Sequence, residues 1–386
     1  MIEELVVHVG PAKTSTTAVQ VAFSRSKEFL ATQGFFYEPD LGSIANYQMH
    51  RFLKLTPVEA LANLSVEQLR SQPDFPSLTT FGRQMISCEG FPGLREQERI
   101  NCIVRWADPK HIRLVIAFRE PTRWLWSIFQ QLARDQLKPG DGWTKFVEDS
   151  LAESISFISN IVKPWLQVHP SPQIVMIDQM INPVNSTPML IAKALDIELV
   201  QEAIQDSTQN LYNESLGLGE SMLMPIFNEE VVNELQSRQQ NLWGDIPEAF
   251  AKNVLLYQTS TAKVMFELGR ELENQHLIEP NNLLDESSFV ALQNFSDAWW
   301  DDFDRTLIEL KTYGHIDLPE IHRQRPPIFS GYDLPIGKGF PRPNFENLIE
   351  LPPEFFSLAR LYASNIGLLF KAMSHQDQVS WLKERM

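Results

Sequence analysis

Continuous apolar runs, without the alternation of a half-exposed strand, recur four times in the first half of the chain. They lie at 4–9 (ELVVHV), 83–88 (RQMISC), 112–118 (IRLVIAF) and 173–178 (QIVMID). Such runs fit strands of a parallel sheet that is covered on both faces. Between them the apolar period becomes helical. From Thr16 to Gln33, residues Val19, Ala22, Phe23, Phe29 and Leu30 share roughly one face, and Gly34 is a C-terminal stop. Further helices are expected over 57–70, 93–107, 121–136, 143–168 and 186–195. This alternation predicts an α/β fold, a parallel β-sheet flanked by helices.

Past about residue 215 the strand pattern stops, which predicts a largely helical C-terminal half. Segment 217–312 reads as several helices with polar breaks, and no internal repeat is visible. Eight prolines between Pro319 and Pro353 predict an extended wrap. A helical pattern returns over 354–384, with Phe355, Phe356, Leu358, Leu361, Leu368 and Phe370 as candidate buried positions. That tail is either a cap on the core or a small added unit. The expected division is a core over 1–220, a helical extension packed on it over 221–318, and a Pro-rich segment with C-terminal helices over 319–386.

Composition narrows the class. With 386 residues, 43% hydrophobic and 21% charged, the chain can bury a substantial core. No apolar stretch reaches the length of a membrane span, and residues 1–10 carry no basic head and apolar signal segment. The two cysteines, Cys88 and Cys102, form neither a disulfide framework nor a metal-ligand spacing. A cytoplasmic protein without a metal is the expectation. The net charge of −16 argues against nucleic acid and other polyanions as partners.

The first chemical motif is HVGPAKTSTT, 8–17, directly behind the first apolar run. A Walker A loop needs a glycine immediately before its lysine. Here Gly10 stands three residues before Lys13, and Ala12 takes the preceding place. The loop still joins a strand, a turn at Gly10-Pro11, a lysine and a helix start bearing Thr14, Ser15, Thr16 and Thr17. Free N–H groups and the positive end of the helix dipole favour a tetrahedral anion there. A well-capped helix with no ligand would show the same hydroxyls.

The second motif is LVIAFREPTRWLWSIFQQ, 114–131, another buried strand running into a helix. Arg119, Pro121, Arg123 and Ser127 follow the strand's carboxyl end, where ligands collect in open α/β sheets. Pro121 suits a first helical turn, and Ser127 follows Arg123 by one turn. Two arginines and a serine can grip a phosphate by charge-assisted bonds. They would equally serve as a solvated helix start.

Together the motifs resemble those of sulfotransferases. HVGPAKTSTTAVQ is similar to the family's 5′-phosphosulfate loop, usually P-K-T-G-T-T, and REPTRWLWS to its 3′-phosphate motif. ISCE, 86–89, resembles the I-S-S-E of bacterial members, and NESL, 213–216, resembles a segment that follows their last strand. The resemblance covers about residues 4–220 and implies a P-loop-type sulfotransferase fold. It further implies 3′-phosphoadenosine 5′-phosphosulfate (PAPS) as donor, no metal, and transfer to a small-molecule, glycan or lipid hydroxyl. By resemblance Lys13 meets the bridging oxygen on which charge develops, and Pro11, Ala12, Thr14, Ser15, Thr16 and Thr17 complete the 5′-phosphate loop. Arg119 and Ser127 take the 3′-phosphate. Ser15 stands where the family usually has glycine; the expectation is a helical backbone there, which serine tolerates.

Removing the acceptor's proton needs a base. Glu89, after a strand's carboxyl end, is the first candidate; its alternative is a structural carboxylate paired with Arg119 or Lys13. His50, in NYQMHRFL, is the second, and His8 is expected to be packed within its strand. Trp124, Trp126, Trp143, Trp299 and Trp300 are candidates for either an acceptor cleft or core packing. Lys338, between two glycines, belongs to either a closing loop or an exposed turn. Two other functions compete: a P-loop kinase-like phosphotransferase, and a nucleotide-binding member of the same fold with weak turnover.

Overall fold

In the computed structural model the described residues are 2–78, 82–122, 124–125, 127–128, 158–169, 172–178, 187–209 and 286–312, with 234 and 360 standing alone. Five parallel strands form one sheet in the order β2-β3-β1-β4-β5. They are β1 (Ile2–His8), β2 (Phe35–Tyr37), β3 (Arg83–Ser87), β4 (Pro109–Phe118) and β5 (Gln173–Asp178). The four predicted strands are all present. Val6, Met85, Val115 and Ala117 belong to one buried cluster, and their neighbours Leu5, Val7, Ile86, Leu114 and Ile116 are buried too. Both faces are therefore covered, which is why these strands read as unbroken apolar runs.

The helices between them are α1 (Thr16–Arg25), α2 (Lys27–Thr32), α3 (Tyr47–Leu55), α4 (Val58–Ala62), α5 (Val66–Arg70) and α6 (Gln97–Ala107). Then come α7 (Ile158–Val168), α8 (Thr187–Ala194), α9 (Gln201–Gln209) and α10 (Glu286–Thr312). Two expected single helices are divided. The one over 16–33 breaks at Ser26, a buried residue whose hydroxyl accepts from Val200 N at 3.1 Å. The one over 57–70 breaks before Ser65, which forms a capping box with Gln68 and starts α5. The helix expected from residue 93 begins at Gln97, after a 3-10 turn over Phe91–Gly93. Edge strand β2, absent from the sequence reading, has only three residues and follows Gly34, whose φ is +70°.

Contacts divide the chain into two compact units. The first comprises 1–124, 153–213 and 296–326 and holds the sheet; the second comprises 125–152, 214–295 and 327–386. Within the first unit, the 296–312 part of α10 packs at the end of β4. Phe118 lies 5.0 Å from Phe303 and 6.3 Å from Trp299, ring centre to ring centre. Trp299 and Trp300 are buried in this cluster, as core packing. Buried Asp302 accepts from Ser159 N at 3.0 Å and from Ser159 Oγ at 2.5 Å, fastening the start of α7 to α10. The Pro-rich segment, the helices expected over 354–384, Trp143 and Lys338 lie outside the described residues.

Strand order decides where a ligand can collect. The chain leaves β1 towards β2 on one side and leaves β4 towards β5 on the other, although β1 and β4 are neighbours. Connections that diverge from adjacent parallel strands open a crevice outside their carboxyl ends. Both sequence motifs begin at that point. Among the described residues, no helix is long and apolar enough to cross a membrane.

Candidate functional site

The loop after β1 starts as a continuation of the strand, with Val9 N donating to Val115 O at 3.0 Å. It then turns sharply. A Cβ on Gly10 would stand 3.0 Å from His8 Nε2, 3.0 Å from Thr16 Cγ2 and 3.2 Å from Thr14 Oγ1, so any larger residue would press on all three side chains. The Thr14 hydroxyl donates to Pro11 O at 2.6 Å and closes the turn. Lys13 and Ser15 both adopt left-handed backbone, with φ of +66° and +61°. Left-handed residues within a tight turn are the means by which backbone N–H groups are gathered to one side.

This corrects the expectation for Ser15. Its backbone is not helical: φ 61° and ψ 20° place it in the left-handed region at the N-cap of α1. Glycine at this place has a conformational reason, and serine keeps the same turn at a cost of roughly 1–2 kcal/mol of backbone strain. The Ser15 side chain makes no cap bond to α1, and the helix's first turn contains no acidic residue.

Glu89 follows β3 by two residues and reaches this loop. Its Oε1 accepts from Thr16 Oγ1 at 2.5 Å. That hydroxyl belongs to the loop's own helix start. His50 is in the same corner. Any side chain on Gly90 would begin 2.3–2.6 Å from its ring atoms, so the ring lies directly against the residue next to Glu89. Burial holds the His50 pKa below its ordinary value; Lys54 adds to this, and a bond with the Gly90 backbone opposes it. The two base candidates therefore flank one glycine.

Two residues that the sequence did not single out belong to this corner, and one of them holds it together. Asn46 is fully buried, and its backbone N donates to Ser87 O while its Oδ1 accepts from Ser87 N, both at 2.9 Å. Its Nδ2 donates to Glu38 O at 2.8 Å. These bonds pin the start of α3 to the end of β3. Tyr47 follows on α3, three residues before His50, a spacing that puts both on one helix face. Its ring is half exposed, and burial of the phenol, then the nearby Glu89 charge, push its pKa up. The only sequence signal was the stretch NYQMH itself. Cys88, between Ser87 and Glu89, has its thiol pushed up to about 12, mainly by burial, which keeps it protonated and inert at neutral pH.

The second motif lies beside the first. Arg119 directly follows β4 and is half-buried. Glu120 is buried, and its carboxylate accepts from Thr122 N at 3.0 Å and from the Thr122 hydroxyl, capping the helical stretch that begins at Pro121. Trp124, on that stretch, donates from Nε1 to Ala12 O at 2.8 Å. This bond ties the two motifs together across the β1–β4 crevice. Trp124 is thus a strut between loops, a role that neither cleft lining nor core packing describes. Ser127 is buried at 4% exposure and belongs to the second compact unit. Arg123 and Trp126 lie outside the described residues.

His8 lies beneath the loop. It is fully buried, with Nδ1 at 2.8 Å from Ser87 Oγ, which also accepts from Gln20 Nε2 at 3.1 Å. Its Nε2 has no hydrogen-bond partner. Burial pulls its pKa down to about 4.

In comparison with known proteins, no family model matches the chain and no curated protein matches it.

Two outcomes are expected. Ser15→Gly should stabilise the protein by roughly 0.5–1 kcal/mol, because the strain removed exceeds the entropy that glycine adds to the unfolded chain; urea midpoints at a constant slope would show it. His8 binds a proton near pH 6.5 in the unfolded chain and only near 4 in the folded one. Its contribution is therefore complete above pH 6.5 and is lost as pH falls towards 4. The stability difference between wild type and His8→Gln should shrink by roughly 2–3 kcal/mol from pH 7 to pH 4.5. A difference that stays constant with pH would remove this role.

Proposed function

We propose that this chain is a sulfotransferase, moving a sulfuryl group from PAPS to a hydroxyl of a small-molecule, glycan or lipid acceptor in the cytoplasm. The observation that carries the reading is the bond from Trp124 Nε1 to Ala12 O at the β1–β4 crevice. It brings the start of the REPTRWLWS motif against the AKTSTT loop, as a donor with phosphates at two positions requires.

The residues fit such a donor. Gly10 lets the backbone pass close to Thr14 and Thr16, and the first turn of α1 carries no acid of its own. Backbone N–H groups of residues 14–17 and the hydroxyls of Thr16 and Thr17 would hold the 5′-phosphate at the helix start. Arg119, directly after β4, would hold the 3′-phosphate by charge-assisted bonds. When bound, the donor supplies the activated sulfuryl group. Lys13 neutralises charge on the oxygen from which that group departs, which is electrostatic stabilisation of the transition state. Glu89, at the edge of the same loop, takes the acceptor's proton, with His50 beside Gly90 as the second base.

A second reading, a nucleotide-binding member of the fold with weak turnover, draws on Ser15. Its left-handed backbone stands where the resembled loop has glycine. Thermal denaturation with adenosine 3′,5′-bisphosphate and with ATP and magnesium tests donor class. The bisphosphate should raise the midpoint and ATP should leave it nearly unchanged; the reverse would favour a phosphotransferase. Transfer of labelled sulfate to an acceptor then separates turnover from binding alone.

Lys13→Ala should lower the chemical step by roughly 10²–10³-fold while the fold persists; full activity would remove Lys13 from the mechanism. Arg119→Ala should weaken binding of the bisphosphate by about 1.5–3 kcal/mol and leave a nucleotide without the 3′-phosphate unaffected. Equal losses for both nucleotides, measured by calorimetry, would give Arg119 another task.

A further inference from the structure

We propose that Glu89 is an internal competitor for the anion-binding loop: it holds the Thr16 hydroxyl until a phosphate-bearing ligand takes that hydroxyl, so that donor binding releases the carboxylate for the acceptor. The identity of the ligand rests on the sulfotransferase reading; the competition rests on the geometry.

Thr16 is the first residue of α1 and has one hydroxyl hydrogen, which it donates to Glu89 Oε1 at 2.5 Å. With that bond made, Thr16 is only 2% exposed. A hydroxyl cannot give one hydrogen to a carboxylate and to a phosphate oxygen together. Two anions at one helix start also repel each other. Since the first turn of α1 has no acid and Ser15 makes no side-chain cap there, Glu89 brings negative charge to this helix start from a distant point in the chain.

A second group points to the same loop. His8 Nε2, on a fully buried ring, has no partner and lies 3.0 Å from where a Cβ on Gly10 would stand, beside Thr14 Oγ1 and Thr16 Cγ2. An unmatched polar atom therefore lies directly against the same loop. One consequence is an order of binding. Before the donor arrives, the carboxylate is engaged with Thr16; afterwards it is released from that hydroxyl and can take the proton of an acceptor.

Calorimetric titration with adenosine 3′,5′-bisphosphate and, separately, with inorganic pyrophosphate tests this on wild type, Glu89→Ala and Glu89→Gln. Glu89→Ala should bind both probes at least about tenfold more tightly, the scale of one hydrogen bond to a charged group. Glu89→Gln is uncharged yet still accepts from Thr16; it should fall between, and it serves if the alanine variant does not fold. In a Thr16→Val background most of the gain should vanish, because the shared hydroxyl is gone. Equal or weaker binding by both Glu89 variants overturns the proposal, as does failure of every protein to bind either probe. A gain for pyrophosphate with no binding of the nucleotide supports the competition and removes the sulfotransferase reading.

Discussion

Ser87, at the end of β3, is the junction on which the whole corner depends. Its backbone exchanges two hydrogen bonds with Asn46, and its hydroxyl meets His8 Nδ1 and Gln20 Nε2. All four residues are buried, so none of these groups has water as an alternative partner. The parallel register that aligns His8 with Ser87 is what lets β1, β3, α1 and α3 meet there. Loss of one contact would leave a buried donor or acceptor unpaired and loosen both the loop after β1 and the helix that carries Tyr47 and His50.

Above this junction the loop is held in a shape that its residues do not prefer. Lys13 and Ser15 are left-handed without being glycine, and His8 keeps a ring nitrogen unpaired in the interior. Strain of this kind persists where surrounding structure determines the backbone, and it gathers at sites that bind or react. Here the determining contacts are identifiable: the Thr14 bond to Pro11, the Trp124 bond to Ala12 and the Thr16 bond to Glu89. The protein is strongly acidic, yet Lys13 and Arg119 follow adjacent strand ends. A net charge governs approach from a distance, whereas short-range contacts govern what is held.

Much of the core was legible in the chain. The four central and flanking strands announced themselves because burial on both faces removes polar positions from a strand. Shorter features did not. Phe35–Tyr37 is too brief to show a period, and the division of the first long helix at Ser26 leaves its apolar spacing nearly intact. The break before Ser65 did carry a signal, the capping box with Gln68, which the helical periodicity of the flanking residues masked. In the site, Lys13, Glu89 and Arg119 stood out as charges following apolar runs. Asn46 and Tyr47 did not, since a buried amide and a half-exposed phenol look ordinary until their partners are known.

What the sequence determined alone was therefore four of the five strands, the helix start behind the AKTSTT loop and the charged residues after β4, all of which are local patterns. Only the tertiary structure decided that β1 and β4 are neighbours, that Glu89 rests on Thr16, that His50 lies against Gly90 and that Ser15 is left-handed. Those facts depend on which distant segments share the core and on the backbone angles that their packing imposes. Neither is written in the spacing of residues along one stretch of chain.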